Sequence, residues 1–405
     1  MSSKQWKEYR FSDFVEINPP LKLDNKKEYS FIEMKDLENG QKFAYPSLKR
    51  KVTGGARFEE KDTLFARITP CLENGKICQA SNLENGIGFG STEFLVFRGK
   101  KDISDTEFVF YLSRWNEVRK FAEQNLVGTS GRQRVGKDAF KNLQLNLPSL
   151  FIQCRIASIL SSLDEKIELN RQTNQTLDAI AQAIFNEWFI DFNFPGATGK
   201  MQESELGAIP KGWKLGCIGD LFTISKESMN PSLFPEQEFI HYSLPAFDEG
   251  KKASKQKGIE ILSNKFKVKN NSILVSKLNP RIPRIWPIID AEINALSSTE
   301  FLVLLPVKPL CFSFGVTLFS QPSIIEIMKG RATGTSGSHQ RIRPQDMLDI
   351  QIIIPDEKYI ELFDLKIKPL FTQIKNNEEQ NETLTQLRDT LLPKLMKGEI
   401  PIPEI

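Results

Sequence analysis

One passage of this chain is written twice, the second time 207 residues after the first. Trp6-Lys7 returns as Trp213-Lys214, Asp13-Phe14 as Asp220-Leu221, and the STEFLV of Ser91 to Val96 returns letter for letter at Ser298 to Val303. Gly128-Thr129-Ser130-Gly131 is matched by Gly334-Thr335-Ser336-Gly337, and Asn174-Gln175-Thr176-Leu177 by Asn381-Glu382-Thr383-Leu384. So long a period exceeds any solenoid unit, and each copy must bury a core of its own. The chain therefore reads as a covalent pseudo-dimer offering two similar surfaces to a partner that is itself roughly two-fold.

The front of each copy is rich in short β-type runs punctuated by Gly, Pro and Asn, such as Leu64 to Thr69, Thr92 to Phe97, Ser272 to Leu278 and Thr299 to Leu305. These predict mixed α/β (α+β) globules. After Pro148, and again after Pro355, the turn signals stop. Ile156, Leu160, Leu163, Ile167, Asn170, Asn174, Leu177, Ala181, Ile184 and Trp188 then step by four and three residues, the a/d seam of a heptad. The second copy repeats the seam from Phe363 to Leu395, with Arg388 where the first has Ala181.

A helix of roughly 40 residues is about 60 Å long, more than a globule of this size can enclose, so its apolar stripe needs a second long helix. The natural partner is the other copy, lying antiparallel. In a pair centred near Gln172, Asn170 faces Asn381 and Asn174 faces Asn377, and buried Asn at such positions fixes register at a cost in stability. The same Asn would also suit a seam open to solvent. Pro369 has no N–H to give and is expected to kink the second helix or delay its start.

Composition narrows the function. With 405 residues, 40% apolar and 26% charged, the chain is sized for two to four ordinary domains. No apolar run approaches a membrane span and MSSKQWKEYR has no signal-like core, so a cytoplasmic protein without membrane contact is expected. Cys71, Cys78, Cys154, Cys217 and Cys311 form no Cys-x-x-Cys pair and are expected to be reduced and mostly buried. His241 and His339 are the only histidines, too few to supply a zinc site, and no cofactor is expected. Residues 1–148 carry 25 Lys and Arg against 20 Asp and Glu, and residues 201–355 carry 18 against 15, while the segments after each lean acidic. That bias is a weak preference for a polyanion.

Two loops per copy combine the residue types that contact DNA. In the first, a strand runs into a Pro-bounded turn: Arg67, Thr69 and Lys76 in copy one, Lys277, Arg281 and Arg284 in copy two. Arg or Lys delivered this way suits a phosphate or a guanine edge, and a surface salt bridge is the competing use. The second is the Gly-rich loop: Thr129, Ser130, Arg132, Gln133 and Arg134, matched by Thr335, Ser336, His339, Gln340, Arg341 and Arg343. Its glycines let backbone approach phosphates, and its Arg and Gln can fork onto guanine or adenine, though a plain Gly-rich turn has the same composition. Copy two carries one extra residue here.

Asn18-Pro19-Pro20-Leu21 imitates an amino-methyltransferase motif, but Leu stands where an aromatic is needed and no Gly-rich loop precedes it. Pro355-Asp356-Glu357-Lys358 imitates a nuclease motif at the start of a helix, where acids suit the positive end. No P-loop is present. Nothing here equips the chain for chemistry of its own.

Three stretches closely resemble the specificity subunits of type I restriction-modification enzymes: Phe185-Asn186-Glu187-Trp188-Phe189-Ile190-Asp191-Phe192, Ser204 to Trp213, and Leu387-Arg388-Asp389-Thr390-Leu391-Leu392-Pro393-Lys394-Leu395. The resemblance spans essentially the whole chain. It implies two target-recognition domains at 1–148 and 213–355, spacer helices at 149–194 and 356–398, a linker at 195–212 and a tail at 399–405. It further implies that each domain reads half of a split double-stranded DNA target, that the helices dock two modification subunits, and that restriction subunits join through these. Two other classes compete: the recognition portion of a split methyltransferase-nuclease, and a two-headed protein-interaction scaffold. Steep weakening of binding with salt would favour DNA over the last.

Overall fold

A computed structural model describes residues 6–129, 131–334 and 340–402. Two compact units emerge, one made of residues 1–171 with 378–405, the other of residues 172–377. Each unit thus combines one globule with a half of each long helix.

In the first unit Trp6–Arg10 pairs antiparallel with Gln144–Pro148, so the strand that opens the globule lies beside the one that closes it. Between them runs a five-stranded sheet in the order Val15–Ile17, Phe94–Gly99, Thr63–Ala66, Ile77–Ala80, Phe43–Ala44. Its three inner strands, Phe94–Gly99, Thr63–Ala66 and Ile77–Ala80, are almost wholly buried because both faces are covered. A four-stranded sheet orders Leu48–Lys51, Glu28–Ile32, Ile87–Gly90 and Ala56–Glu59. Helix Thr106–Arg114 starts where the Asp105 side chain accepts the Phe108 N–H. Phe11, Phe65, Phe97 and Phe140 meet edge-on or tilted at 5.2–5.8 Å between ring centres, filling the core.

The second unit repeats the plan. Lys214–Cys217 pairs with Gln351–Ile354. A four-stranded antiparallel sheet orders Phe222–Ile224, Phe301–Pro306, Ser272–Ser276 and Ile285–Ile288. A five-stranded sheet orders Ser228–Met229, Lys265–Lys267, Ala295–Ser297, Glu238–Tyr242 and Ser254–Lys257. Helix Cys311–Phe319 is entirely buried, and Pro322–Arg331 follows it with Pro at its first position, where the missing N–H costs nothing. Among the described residues no single helix is long and apolar enough to cross a membrane; these two helices pass such a test only jointly, across a 68° bend.

The first long helix runs Leu150–Phe185 and ends in a π-helical turn, Asn186–Ile190. The second runs Glu357–Met396. Within each unit the two helices lie antiparallel, since partner numbers fall on one as they rise on the other. In the first unit Asp164 meets Arg388 and Asn170 meets Asn381. In the second, Asn377 Nδ2 donates to Asn174 Oδ1 at 2.7 Å, and Phe185 packs on Phe363 at 5.8 Å. Asn170 Nδ2 donates to both Asn381 Oδ1 and Gln380 Oε1 at 2.8 Å.

Two expectations need correcting. The second helix does not start late at Pro369 but runs through it from Glu357; Pro369 and Leu365, whose carbonyl loses its donor, both face solvent, where water can take the place of the missing N–H. Of the five cysteines, all free, only Cys78 and Cys311 are buried; Cys154 lies on the outer face of the first long helix and is exposed.

Candidate nucleic-acid interface

The two loops singled out from the sequence are stitched together in both units by the same backbone bonds. Past the buried strand Thr63–Ala66, the Arg67 N–H donates to the Glu93 carbonyl at 2.9 Å and the Arg67 carbonyl accepts from Val135 N–H at 2.9 Å. The Thr69 N–H donates to the Gln133 carbonyl at 3.0 Å, and its hydroxyl accepts the Gln133 N–H at 3.1 Å. In the second unit the Lys277 N–H donates to the Glu300 carbonyl at 2.9 Å, the Lys277 carbonyl accepts from Ile342 at 3.0 Å, and the Asn279 N–H donates to the Gln340 carbonyl at 2.8 Å. Gly128 and Gly334 open the Gly-rich loops at φ +131° and +158°, a region only glycine enters freely.

Side chains complete the stitching. Arg134 forks onto Glu93, its Nε 2.9 and 3.0 Å from the two carboxylate oxygens and its Nη2 2.7 Å from Oε1. Arg341 forks onto Glu300 likewise, at 3.0 and 3.1 Å. The bond to each carboxylate raises each guanidinium above its ordinary pKa. Ser91 and Ser298 hydroxyls accept the N–H of Glu93 and Glu300 at 3.1 and 3.2 Å, holding the acids in place.

The candidates therefore divide. Arg284 is committed to Asp248 through bonds of 2.7 and 2.8 Å, which raise its pKa, and the Lys76 ammonium donates to the Met34 carbonyl at 3.0 Å. Arg67, Arg132, Gln133, Lys277, Arg281, Gln340 and Arg343 make no side-chain hydrogen bond or ion pair among the described residues, and Arg132, Arg281 and Arg343 are exposed, as is Thr129. Ser130, Thr335, Ser336 and His339 lie outside the described residues. Glu93, Glu300 and Asp248 were not anticipated. The first two had a signal, since both belong to the stretch repeated letter for letter; Asp248 had none.

The imitated motifs are built into the framework. Asn18 donates from its N–H to the Val96 carbonyl at 2.7 Å and accepts the Val96 N–H on its side chain at 2.9 Å, extending the sheet edge. Asp356 accepts the Lys358 N–H at 3.2 Å at the mouth of the second long helix.

A globule with a clamped basic turn and an antiparallel helix pair, present once in each unit, defines a class of internally repeated, two-headed proteins. Residues 3–179 match the family described as the type I restriction modification DNA specificity domain. The chain is 26% identical to the type I restriction enzyme HindI specificity subunit of Haemophilus influenzae, over 98% of this chain and 99% of that protein. It is 26% identical to the MjaIX specificity subunit of Methanocaldococcus jannaschii, over 99% of this chain and 95% of that one. A solved S subunit of a type I restriction-modification system from M. genitalium shares the fold, with a TM-score of 0.57 at 14% identity over 100% of this chain and 98% of that one. Over nearly its whole length the chain is thus similar to type I restriction-modification specificity subunits.

Proposed function

We propose that this chain is a type I restriction-modification specificity subunit and reads a double-stranded DNA target in two parts, with residues 1–148 reading one half-site and residues 213–355 the other. The helices at 149–194 and 356–398 act as spacers and seat two modification subunits, through which the restriction subunits join; residues 195–212 link the copies and 399–405 form a tail. The chain contributes recognition and no catalytic step, and it works in the cytoplasm. The observation that carries this reading is the recurrence, in both globules, of one backbone-stitched basic turn beside a Gly-rich loop.

Within that turn Arg67, Arg132, Lys277, Arg281 and Arg343 supply charge, and Gln133 and Gln340 supply amides able to fork onto adenine. By residue type Thr129, Ser130, Thr335, Ser336 and His339 are further hydrogen-bonding partners for DNA, while Thr69, Lys76 and Arg284 support the turns. Asn170, Asn174, Asn377 and Asn381 set the spacer register.

Genome-wide methylation mapping in a host carrying the complete system tests the reading: a two-part motif with an unread gap is expected. Four residues inserted near Gln172, with four more at the facing position after Glu379 to keep the Asn pairs aligned, add about one helical turn, or about 5.4 Å. The gap should lengthen by one to two base pairs, and an unchanged gap would refute the spacer role. Binding should weaken steeply as salt rises, by about 0.9 log units per log unit of salt for each phosphate neutralised.

A further inference from the structure

Arg134 and Arg341 look, by residue type, like the best base readers in their loops. Their geometry says otherwise. Both guanidiniums have their forked edge occupied by Glu93 or Glu300, so neither can present that fork to guanine without first giving up a carboxylate. The pairs sit 42% and 44% exposed on the Arg side, where solvent screening leaves an ion pair little to add to folding. Fold stability alone is a weak reason to keep one in both copies.

The copies have not been kept alike for packing. Asp164 and Arg388, which meet in the first unit, correspond by the 207-residue period to Phe371 and Ala181 in the second. Amid that drift, Glu, Arg, the Ser that caps the Glu and the flanking backbone bonds recur as a set. Each Arg stands on the backbone bridge between the two loops, Ile68 with Arg134 and Leu278 with Arg341, and each Glu holds the N–H of the neighbouring cation, Arg67 or Lys277.

We propose that Glu93–Arg134 and Glu300–Arg341 are clasps: positioning residues that lock the Gly-rich loop to the basic turn and so fix where Arg67, Arg132 and Gln133, or Lys277, Gln340 and Arg343, meet the duplex. This rests on the DNA-reading role above and assigns the acid, not only the base, to recognition. An acid beside DNA would ordinarily weaken binding by repulsion. Here removing it loosens the loop.

The test uses the full-length chain assembled with its modification subunits and a duplex carrying the motif found by methylation mapping. Control duplexes have one half or both halves scrambled. Glu93→Gln and Arg134→Gln should each lower discrimination at one half-site about tenfold, with the double variant no worse than either. Affinity for the fully scrambled duplex and the salt slope should stay unchanged. Arg134→Lys, which keeps the charge but cannot fork, should behave like Arg134→Gln. Glu300→Gln and Arg341→Gln should do the same at the other half-site.

Tighter or unchanged binding by Glu93→Gln, with the slope reduced by about 0.9 in Arg134→Gln and preserved in Arg134→Lys, would make Arg134 a phosphate ligand and overturn the clasp. Loss of specific and scrambled binding together, with a lowered melting temperature in every variant, would reduce the pair to a folding element and also overturn it. Failure of the unsubstituted complex to discriminate the mapped duplex would instead sink the DNA-reading role itself.

Discussion

The two units fill the same helical seam with opposite chemistry. In the first, Arg388 is only 2% exposed, yet its Nη1 meets Asp164 at 2.6 Å and the Gly40 carbonyl at 2.8 Å, and its Nε meets Asp389 at 2.8 Å. The other Asp164 oxygen accepts the Tyr111 hydroxyl at 2.6 Å. Burial pulls the Arg388 pKa down, but Asp164 and Asp389 outweigh it and leave it raised; burial and then Asp164 push the Tyr111 phenol well up. In the second unit Ala181 and Phe371 stand at the matching positions, among Phe185, Phe189, Trp188 and Phe363 in edge-on contacts of 5.1–6.2 Å. One architecture thus accepts an ionic or an aromatic filling, because each satisfies its own atoms locally. The Glu93–Arg134 and Glu300–Arg341 pairs did not drift in this way, as the proposed clasp role requires.

Breaking the ionic filling should have the largest effect. Arg388→Ala strands a buried Asp164 carboxylate and should destabilise the first unit by about 3–5 kcal/mol, read as loss of hydrogen-exchange protection in residues 378–396. Giving the first unit the second unit's residues, Asp164→Phe with Arg388→Ala, and Tyr111→Phe to remove the stranded hydroxyl, should recover most of that loss. A triple variant as unstable as the single one would show that the two fillings are not interchangeable.

The Asn ladder offers a mid-sized contrast, since here both units use the same chemistry. Asn377→Ala leaves the buried side of Asn174 short of a partner and should cost about 1–3 kcal/mol, and Asn381→Ala should do the same through Asn170 in the first unit. Replacing Asn174 and Asn377 together by Leu should recover stability but loosen register, visible as a blurred gap length in methylation mapping.

The smallest effect is one of pH and belongs to His241, in the second unit. Burial lowers the His241 pKa from its ordinary 6.5, with Lys265 adding to the fall and the Gln256 oxygen, 2.7 Å from Nδ1, opposing it. The folded state holds this ring neutral while the unfolded chain protonates near 6.5. Stability from this group is therefore full above that value and declines as pH falls through it towards the lowered folded pKa. A melting curve followed from pH 7.5 to 5 should show this slope in the second unit, and His241→Gln should remove it.

Much of this could be read from the residues in order. The 207-residue period announced two globules, and the four-three spacing announced two long helices and even which Asn would meet, because periodicity is a property of neighbours along the chain. The continuation through Pro369 was not legible, since it depends on which side of the helix faces water. Nor was the exposure of Cys154, whose residue type favours burial while its place on the helix does not.

The candidate DNA-binding loops divide at the same line. Sequence alone determined which segments carry Arg, Lys, Gln and glycine in the pattern that suits DNA. Only the tertiary structure decided which of those cations are free, because Arg134 and Glu93 stand 41 residues apart, as do Arg341 and Glu300, and Arg284 and Asp248 stand 36 apart. Charge type is written residue by residue, but whether a charge is already neutralised depends on distances of about 3 Å that chain folding alone creates.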